Sequence, residues 1–495
     1  MKLVFEWLRF FSLLFLLFGS STINQETLAQ DKDFKSSVEN NIADDAPRLC
    51  HQDLSTAIEN VINRSEFRRS RWGIEVQTLD GESLYSLNGD KFFTPASSAK
   101  LLTTAAVLSA LGADYRFRTP IYAVGHPPNL TSLRLKGQGD PTISSQSLKH
   151  IVHQLQVLKI KRIEKLIIDD SYFEPPIINP TWEWLDVHSY FATAVNSTIL
   201  NQNTVTLILL PQQIGQPVKF YWSDAIAARQ WQVINEAITG ALNIPYEIEI
   251  DGDLGKPTLQ IRGKLAVNEP ADVWDLAIVD PDNYFLESLR LYLAQSDIKV
   301  TQGIVIDKPN RNKLETELMA IASPPMQQII AKTNQESNNL FAEVLARVLA
   351  KELNVKTPIE AINKSLNNLG INSEDYVLLD ASGLSRQNLV TPKALVTVLR
   401  LMSRSKDNQT FRRSLAIAGV NGTLKNRFID TAIKNNLIGK TGTLTGVDTL
   451  SGYLTTSEGK TIVFSILLNN SEQSSQKIRQ AIDRVTVILD RASKC

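Results

Sequence analysis

The chain has 495 residues, 43% of them hydrophobic and 21% charged, an ordinary globular composition. At about 150 residues per domain it has room for about three domains. Its 52 lysines and arginines balance 52 aspartates and glutamates, so no net field draws it to nucleic acid or to an anionic membrane, and neither is expected as a partner.

Lys2 and Arg9 flank an apolar run over residues 10–18, followed by Gly19-Ser20-Ser21 and then Leu28-Ala29-Gln30. The run is short for a bilayer span but suits the core of a signal peptide over residues 1–29. The expectation is therefore an exported, periplasmic or secreted protein with no strong membrane anchor after cleavage; an uncleaved N-terminal anchor is the competing reading. Residues 31–48 are polar and charged and read as a mobile leader. The two cysteines, Cys50 and Cys495, stand near the ends of the mature chain. An exported protein can keep a disulfide, here closing a loop of about 445 residues, and two unpaired thiols are the alternative. His150 and His153 share a helix face amid polar residues, which is ordinary surface, and neither a metal nor a cofactor is expected.

From Trp72 the pattern alternates: Ile74, Val76 and Thr78 with polar neighbours, a turn at Asp80-Gly81, and a return over 83–87, together a β-hairpin. Pro95 and the Ala/Leu-rich run behind it predict a helix beginning close to Ser97. Between residues 130 and 306 short strands are expected at 165–169, 204–210, 246–250 and 258–262, with helices at 148–158 and 283–296, enough chain for one or two inserted domains. Residues 327–349 read as helical. Near the C-terminus strands at 450–455 and 461–468 flank a turn at 457–460. A helix from about Ser474 carries Ile478, Ala481, Ile482, Val485, Ile488 and Leu489 on one face. Strands from both ends of the chain are thus expected in one antiparallel sheet covered by helices.

Three short patterns carry chemistry. In Ser97-x-x-Lys100 the two side chains share a helix face, so a neutral lysine amine can take the proton of a hydroxyl that is otherwise a poor nucleophile. The spacing alone proves little, since it recurs at Ser403/Lys406, Ser457/Lys460 and Ser474/Lys477. Ser337-Asn338-Asn339 is equally weak alone, with Ser-x-Asn also at Ser86/Asn88 and Ser365/Asn367. Lys440-Thr441-Gly442-Thr443 occurs once; Gly442 would let a ligand backbone lie along a strand edge while Lys440 supplies a positive charge.

The three together, in this order, resemble the set of penicillin-binding proteins and class A β-lactamases, with Ser-Asn-Asn departing only at its variable centre. The chain is similar to the D-Ala-D-Ala carboxypeptidase/endopeptidase family of low-molecular-mass class C penicillin-binding proteins, peptidase family S13. Further stretches carry the resemblance: Gly137-Gln138-Gly139-Asp140-Pro141, Trp182-Glu183-Trp184-Leu185-Asp186, Asp380-Ala381-Ser382-Gly383-Leu384-Ser385-Arg386 and Gly422-Thr423-Leu424. The 240 positions from Ser97 to Ser337 fit this family, which inserts two domains there, whereas β-lactamases place these motifs much closer.

The resemblance implies an α+β fold: a serine β-lactamase/DD-peptidase-like transpeptidase domain, its antiparallel sheet covered by helices, with two inserted, β-rich smaller domains. The implied division is a peptidase domain of residues 50–119 and 307–495, a first inserted domain of 120–210 and 271–306, and a second of 211–270. It also implies cleavage of D-Ala-D-Ala bonds in peptidoglycan stem peptides and slow-clearing acylation by β-lactam inhibitors. Ser97 would be the nucleophile, Lys100 its base and Ser337 a proton relay. Asn339, Lys440, Thr441, Gly442 and Thr443 would bind substrate, and the N–H groups of Ser97 and Thr443 would form the oxyanion hole. Asp186, Phe191 and Arg386 would line a pocket for diaminopimelate. A nearby Lys440 charge and burial would both favour the neutral form of Lys100. A β-lactamase and a non-catalytic wall-binding scaffold are the rival readings.

Overall fold

The computed structural model describes residue 49 and residues 51–252, 256–308 and 314–492. The signal-peptide region, Cys50 and Cys495 lie outside the described residues. Among the described residues no helix is long and apolar enough to cross a membrane.

Strands from the two ends of the chain do meet. Arg71–Thr78 pairs antiparallel with Thr461–Asn469, setting Trp72 opposite Leu468, Ile74 opposite Ile466 and Val76 opposite Phe464. The full six-stranded order is Ala416–Ile417, Leu437–Leu444, Val447–Thr455, Thr461–Asn469, Arg71–Thr78, Ser83–Leu87. Side chains alternate across it with the period of two that a strand imposes. Ile462, Phe464, Ile466 and Leu468 face the helices His51–Ile62 and Ser475–Leu489, packing on Ile58, Ile478, Ile482 and Val485. Val463, Leu467 and Tyr453 face the other way, into a helical layer that includes Lys100–Leu111, Asn339–Glu352 and Pro392–Arg404. Ile488, expected on the buried stripe of the last helix, is only partly buried.

The chain between helix Lys100–Leu111 and Met326 builds further sheets of its own. A five-stranded mixed sheet runs Lys299–Ile306, Arg162–Asp169, Asn129–Lys136, Arg118–His126, Thr316–Ala322. Helices Ser145–Val157 and Pro281–Gln295 supply its apolar partners. The last strand lies past residue 306, so the chain leaves this sheet later than the expected return at 307. Smaller sheets follow: Thr204–Leu210 is sandwiched between Lys219–Trp222 and Asp272–Ala277, and Thr258–Arg262 between Glu249–Gly252 and Gln232–Asn235. The expected divide at 210/211 therefore falls between two paired strands. One continuous apolar core, from Leu133 and Phe285 to Leu207 and Ile261, links these sheets, while Phe173, Trp182, Ala192, Val195 and Ile199 pack into the helical core beside Lys100–Leu111. The strand expected at 246–250 forms later, at Glu249–Gly252.

Candidate active site

The expected helix at Ser97 begins as a tight turn. Residues Ala96–Ala99 are 3₁₀ and lead into the α-helix Lys100–Leu111, with Ala96 in the left-handed region at φ 46. In a 3₁₀ turn residues three apart eclipse, which sets Ser97 over Lys100. The Lys100 Nζ makes three contacts: 2.9 Å to Ser97 Oγ, 2.6 Å to Asn339 Oδ1 and 2.7 Å to the Ser382 carbonyl. Asn339 Nδ2 donates to the Phe191 carbonyl at 2.9 Å, so its Oδ1 is the end that faces the lysine. The Asn339 oxygen and the Ser382 carbonyl can only accept. A neutral amine donates twice and accepts once, so the single group able to donate to its lone pair is the Ser97 hydroxyl.

Lys100 is fully buried, and loss of water pushes its pKa down to about 7, against the opposing pull of the carboxylates of Asp380 and Glu343. Lys440, also fully buried, is pushed well below the ordinary lysine range, first by burial and then by the charge on Lys100. A buried site tolerates one cation far better than two, so a charge on Lys100 disfavours a second on Lys440.

The helical stretch expected at 327–349 is broken at the second motif. Helix Met326–Gln335 stops, Ser337 adopts φ 58, and a new helix starts at Asn339. Asn338 caps that helix through its side-chain oxygen, 3.0 Å from the Phe341 N–H, and its amide donates to Gln202 of the insert at 2.7 Å. The break aims Ser337 at the third motif: Lys440 Nζ donates to Ser337 Oγ at 2.9 Å and to the Thr441 carbonyl at 2.7 Å.

Lys440, Thr441, Gly442 and Thr443 lie on the strand Leu437–Leu444, whose outer neighbour pairs only with Ile438 and Gly439, leaving the edge from Lys440 onward without a strand partner among the described residues. A second demand falls on Gly442 besides the strand-edge one. A Cβ there would stand 2.4 Å from Thr449 Oγ1 and 2.8 Å from both the Pro95 carbonyl and the Ser97 nitrogen. The glycine lets the strand close on the nucleophile's own backbone. Thr441 Oγ1 donates to Thr423 Oγ1 at 2.7 Å, and Thr443 Oγ1 to Asp448 Oδ1 at 2.7 Å.

Of the pocket residues, Phe191 contributes the carbonyl that orients Asn339, while its partly buried ring stacks edge-on with Tyr190. The Arg386 guanidinium pairs with Glu183 at 2.8 Å and donates to the Thr445 carbonyl at 3.0 Å. Asp186 stands close enough to feel both: burial and then Glu183 push its carboxyl up, and Arg386 pulls it down. Sequence patterns assigned no role to Glu183, Gln202, Glu343, Asp380, Ser382 or Thr423. Four of these sit inside the stretches Trp182-Glu183-Trp184, Asp380-Ala381-Ser382 and Gly422-Thr423-Leu424; Glu343 could have been found one helical turn beyond Asn339, on the same face.

Comparison with known proteins agrees with this geometry. Residues 54–489 match the model of the D-Ala-D-Ala carboxypeptidase 3 (S13) family. The D-alanyl-D-alanine carboxypeptidase of Actinomadura sp. is 30% identical over 80% of this chain and 77% of its own length. Penicillin-sensitive carboxypeptidase A of Dictyostelium discoideum is 27% identical over 89% and 92%. Among solved structures, penicillin-binding protein 4 of Haemophilus influenzae superposes with a TM-score of 0.76 at 24% identity, covering 87% of this chain and 98% of that one. With the family's signature spread over nearly the whole chain and its motif residues gathered around one buried lysine, this protein belongs to the D-Ala-D-Ala carboxypeptidase 3 (S13) family.

Proposed function

We propose that this protein is an exported serine peptidase that hydrolyses the bond between two D-alanines in peptidoglycan stem peptides, as carboxypeptidase, endopeptidase or both, and that β-lactams acylate it. The contact carrying this reading is Lys100 Nζ on Ser97 Oγ at 2.9 Å, with the lysine buried and its other partners able only to accept.

Substrate enters with its terminal carboxylate at Lys440, Thr441 and Thr443. That negative charge stabilises the ammonium on Lys440, and the Lys440 cation in turn keeps Lys100 neutral. Ser97 Oγ then attacks the carbonyl carbon as its proton passes to Lys100. The oxyanion settles on the N–H groups of Ser97 and Thr443, which the absence of a side chain at Gly442 allows to lie close together. As the C–N bond breaks, the proton returns through Ser337 to the leaving amine. Water then cleaves the acyl-enzyme. Asn339 holds the substrate amide, while Asp186, Phe191 and Arg386, joined by Glu183, read the diaminopimelate end. A zwitterionic amino-acid terminus suits a pocket holding carboxylates and a guanidinium. The peptidase unit comprises residues 50–119 and the chain beyond the insert, and the insert's larger and smaller sheets share one apolar core.

The test is labelling of the purified protein by fluorescent penicillin beside Ser97→Ala, with mass spectrometry of the adduct. A stable adduct on Ser97, absent from the variant, is expected. Rapid penicillin turnover without an adduct would make it a β-lactamase; neither, in folded protein, would leave a wall-binding scaffold.

A further inference from the structure

Behind Lys100 lies a buried carboxyl that the chemistry above does not use. Glu343 stands one turn beyond Asn339 on the helix Asn339–Glu352 and is 7% exposed. One oxygen, Oε1, accepts from two successive backbone N–H groups, Ala381 and Ser382, each at 2.9 Å. The Ala381 carbonyl takes the Thr103 hydroxyl at 2.7 Å, and the Ser382 carbonyl takes Lys100 Nζ at 2.7 Å. The next N–H, of Gly383, is held by Asp380 Oδ1 at 2.8 Å. Gly383 is in turn wedged against the backbone of Ala96: at φ 86, its Cβ would be 1.9 Å from the Ala96 carbonyl.

We propose that Glu343 is a positioning residue for the general base, fixing the backbone of Ala381 and Ser382 so that the Ser382 carbonyl receives the Lys100 amine in line with Ser97. The inference rests on the peptidase reading and deepens it. One helix thereby holds Lys100 twice, directly through Asn339 and indirectly through Glu343. Titratable groups facing Glu343 are Lys100 and Asp380 from other elements and Arg347 from its own helix, with Lys440 beyond Lys100. Burial, then the Asp380 charge, pushes the Glu343 carboxyl up to about 7, and its anion favours the lysine's charged form. The same side chain thus holds the lysine in place and keeps its pKa from falling further.

Two substitutions separate the roles. In Glu343→Gln the amide oxygen keeps both N–H bonds but the charge is gone; in Glu343→Ala two buried N–H groups are orphaned. The readout is the rate of penicillin acylation against pH, with circular dichroism to verify folding. Wild type loses activity below the Lys100 pKa. Removing a nearby anion lowers that pKa, so in Glu343→Gln the acid limb moves to lower pH by about 0.5–1 unit, with a near-normal plateau. Glu343→Ala lowers the plateau by about 10- to 100-fold, as leaving buried donors unpaired implies. A Glu343→Ala plateau within about threefold of wild type, or a Glu343→Gln plateau that falls as far as about tenfold although both N–H bonds can be kept, overturns the assignment. Should Glu343→Ala not fold, the plateau of the Gln variant decides. Wild type that fails to acylate at all would instead overturn the peptidase reading and this inference with it.

Discussion

Gly442→Ala isolates how closely the third motif must approach the nucleophile. The added methyl would sit 2.8 Å from two backbone atoms, the Pro95 carbonyl oxygen and the Ser97 nitrogen, and 2.4 Å from Thr449 Oγ1. Thr449 cannot swing aside freely, because its hydroxyl bonds to Ser98 Oγ at 2.8 Å and to the Pro95 carbonyl at 3.1 Å. Carbon contacts relax near 3.4 Å or beyond, so the strand must back away from Ser97 by about 0.6 Å or more. Overpacking of this kind costs about 1–3 kcal/mol of stability. The larger effect is on rate: a misplacement of about 1 Å costs on the order of 100-fold, so acylation should slow by about 10- to 100-fold while the protein stays folded. Stopped-flow acylation by a chromogenic cephalosporin, beside a thermal melt, measures both. Acylation within about threefold of wild type would show that the strand's distance from Ser97 does not matter, and Gly442 would then have no part in the chemistry.

The free enzyme should lose acylation on the acid side. Lys100 works as a base only when neutral and its pKa lies at about 7, so the reactive form is present above that value and falls about tenfold per unit below it; a rate flat from acid to alkaline pH would contradict the lysine mechanism. Asp186→Ala and Arg386→Ala should each raise KM for peptides ending in diaminopimelate by about tenfold, while penicillin acylation, which never reaches that pocket, stays unchanged. Steady-state kinetics on the two substrate classes checks this, and equal effects on both would assign the pair a merely structural role.

How far the sequence reached depended on the range of each interaction. The hairpin over 71–87, the C-terminal strands and the last helix were legible because their apolar periods are local and unbroken. The three motifs were legible as a set. The break at Ser337 was not, because the helical period continues on both sides and the kink depends on one residue at φ 58 and an Asn338 cap, which look like ordinary polar positions. The strand Thr316–Ala322 was missed since most of its residues are exposed or half-buried, without the alternation of a half-buried strand. The Arg386–Glu183 pair joins residues far apart in the chain, which no local pattern encodes.

The insert touches the residues around Lys100 rather than standing apart from them, and its contacts say how. Residues 174–202 lie along the peptidase unit and touch it mostly where the chemistry is held. Trp182 Nε1 donates to the buried Asp380 at 2.9 Å, and Asp380 also binds the N–H groups of Gly383 and Ser385, so the indole helps fix the turn that carries the Ser382 carbonyl. Asn179 Nδ2 reaches the Leu379 carbonyl at 2.9 Å, just before that turn. The Phe191 carbonyl orients Asn339, Gln202 accepts from Asn338, and Glu183 takes Arg386. Arg347, one turn beyond Glu343, donates to the Glu174 carbonyl at 2.9 Å. A lysine kept neutral by burial must be enclosed on every side by groups whose positions are fixed, because each mobile dipole or entering water would restore its charge. Asn339 of the second motif and the Ser382 carbonyl of the 380–388 turn both contact Lys100, and both are braced by the insert. The length between Ser97 and Ser337 is thus tied to the proposed chemistry: the segment that carries Asp186 and Phe191 also holds the groups packed around Lys100.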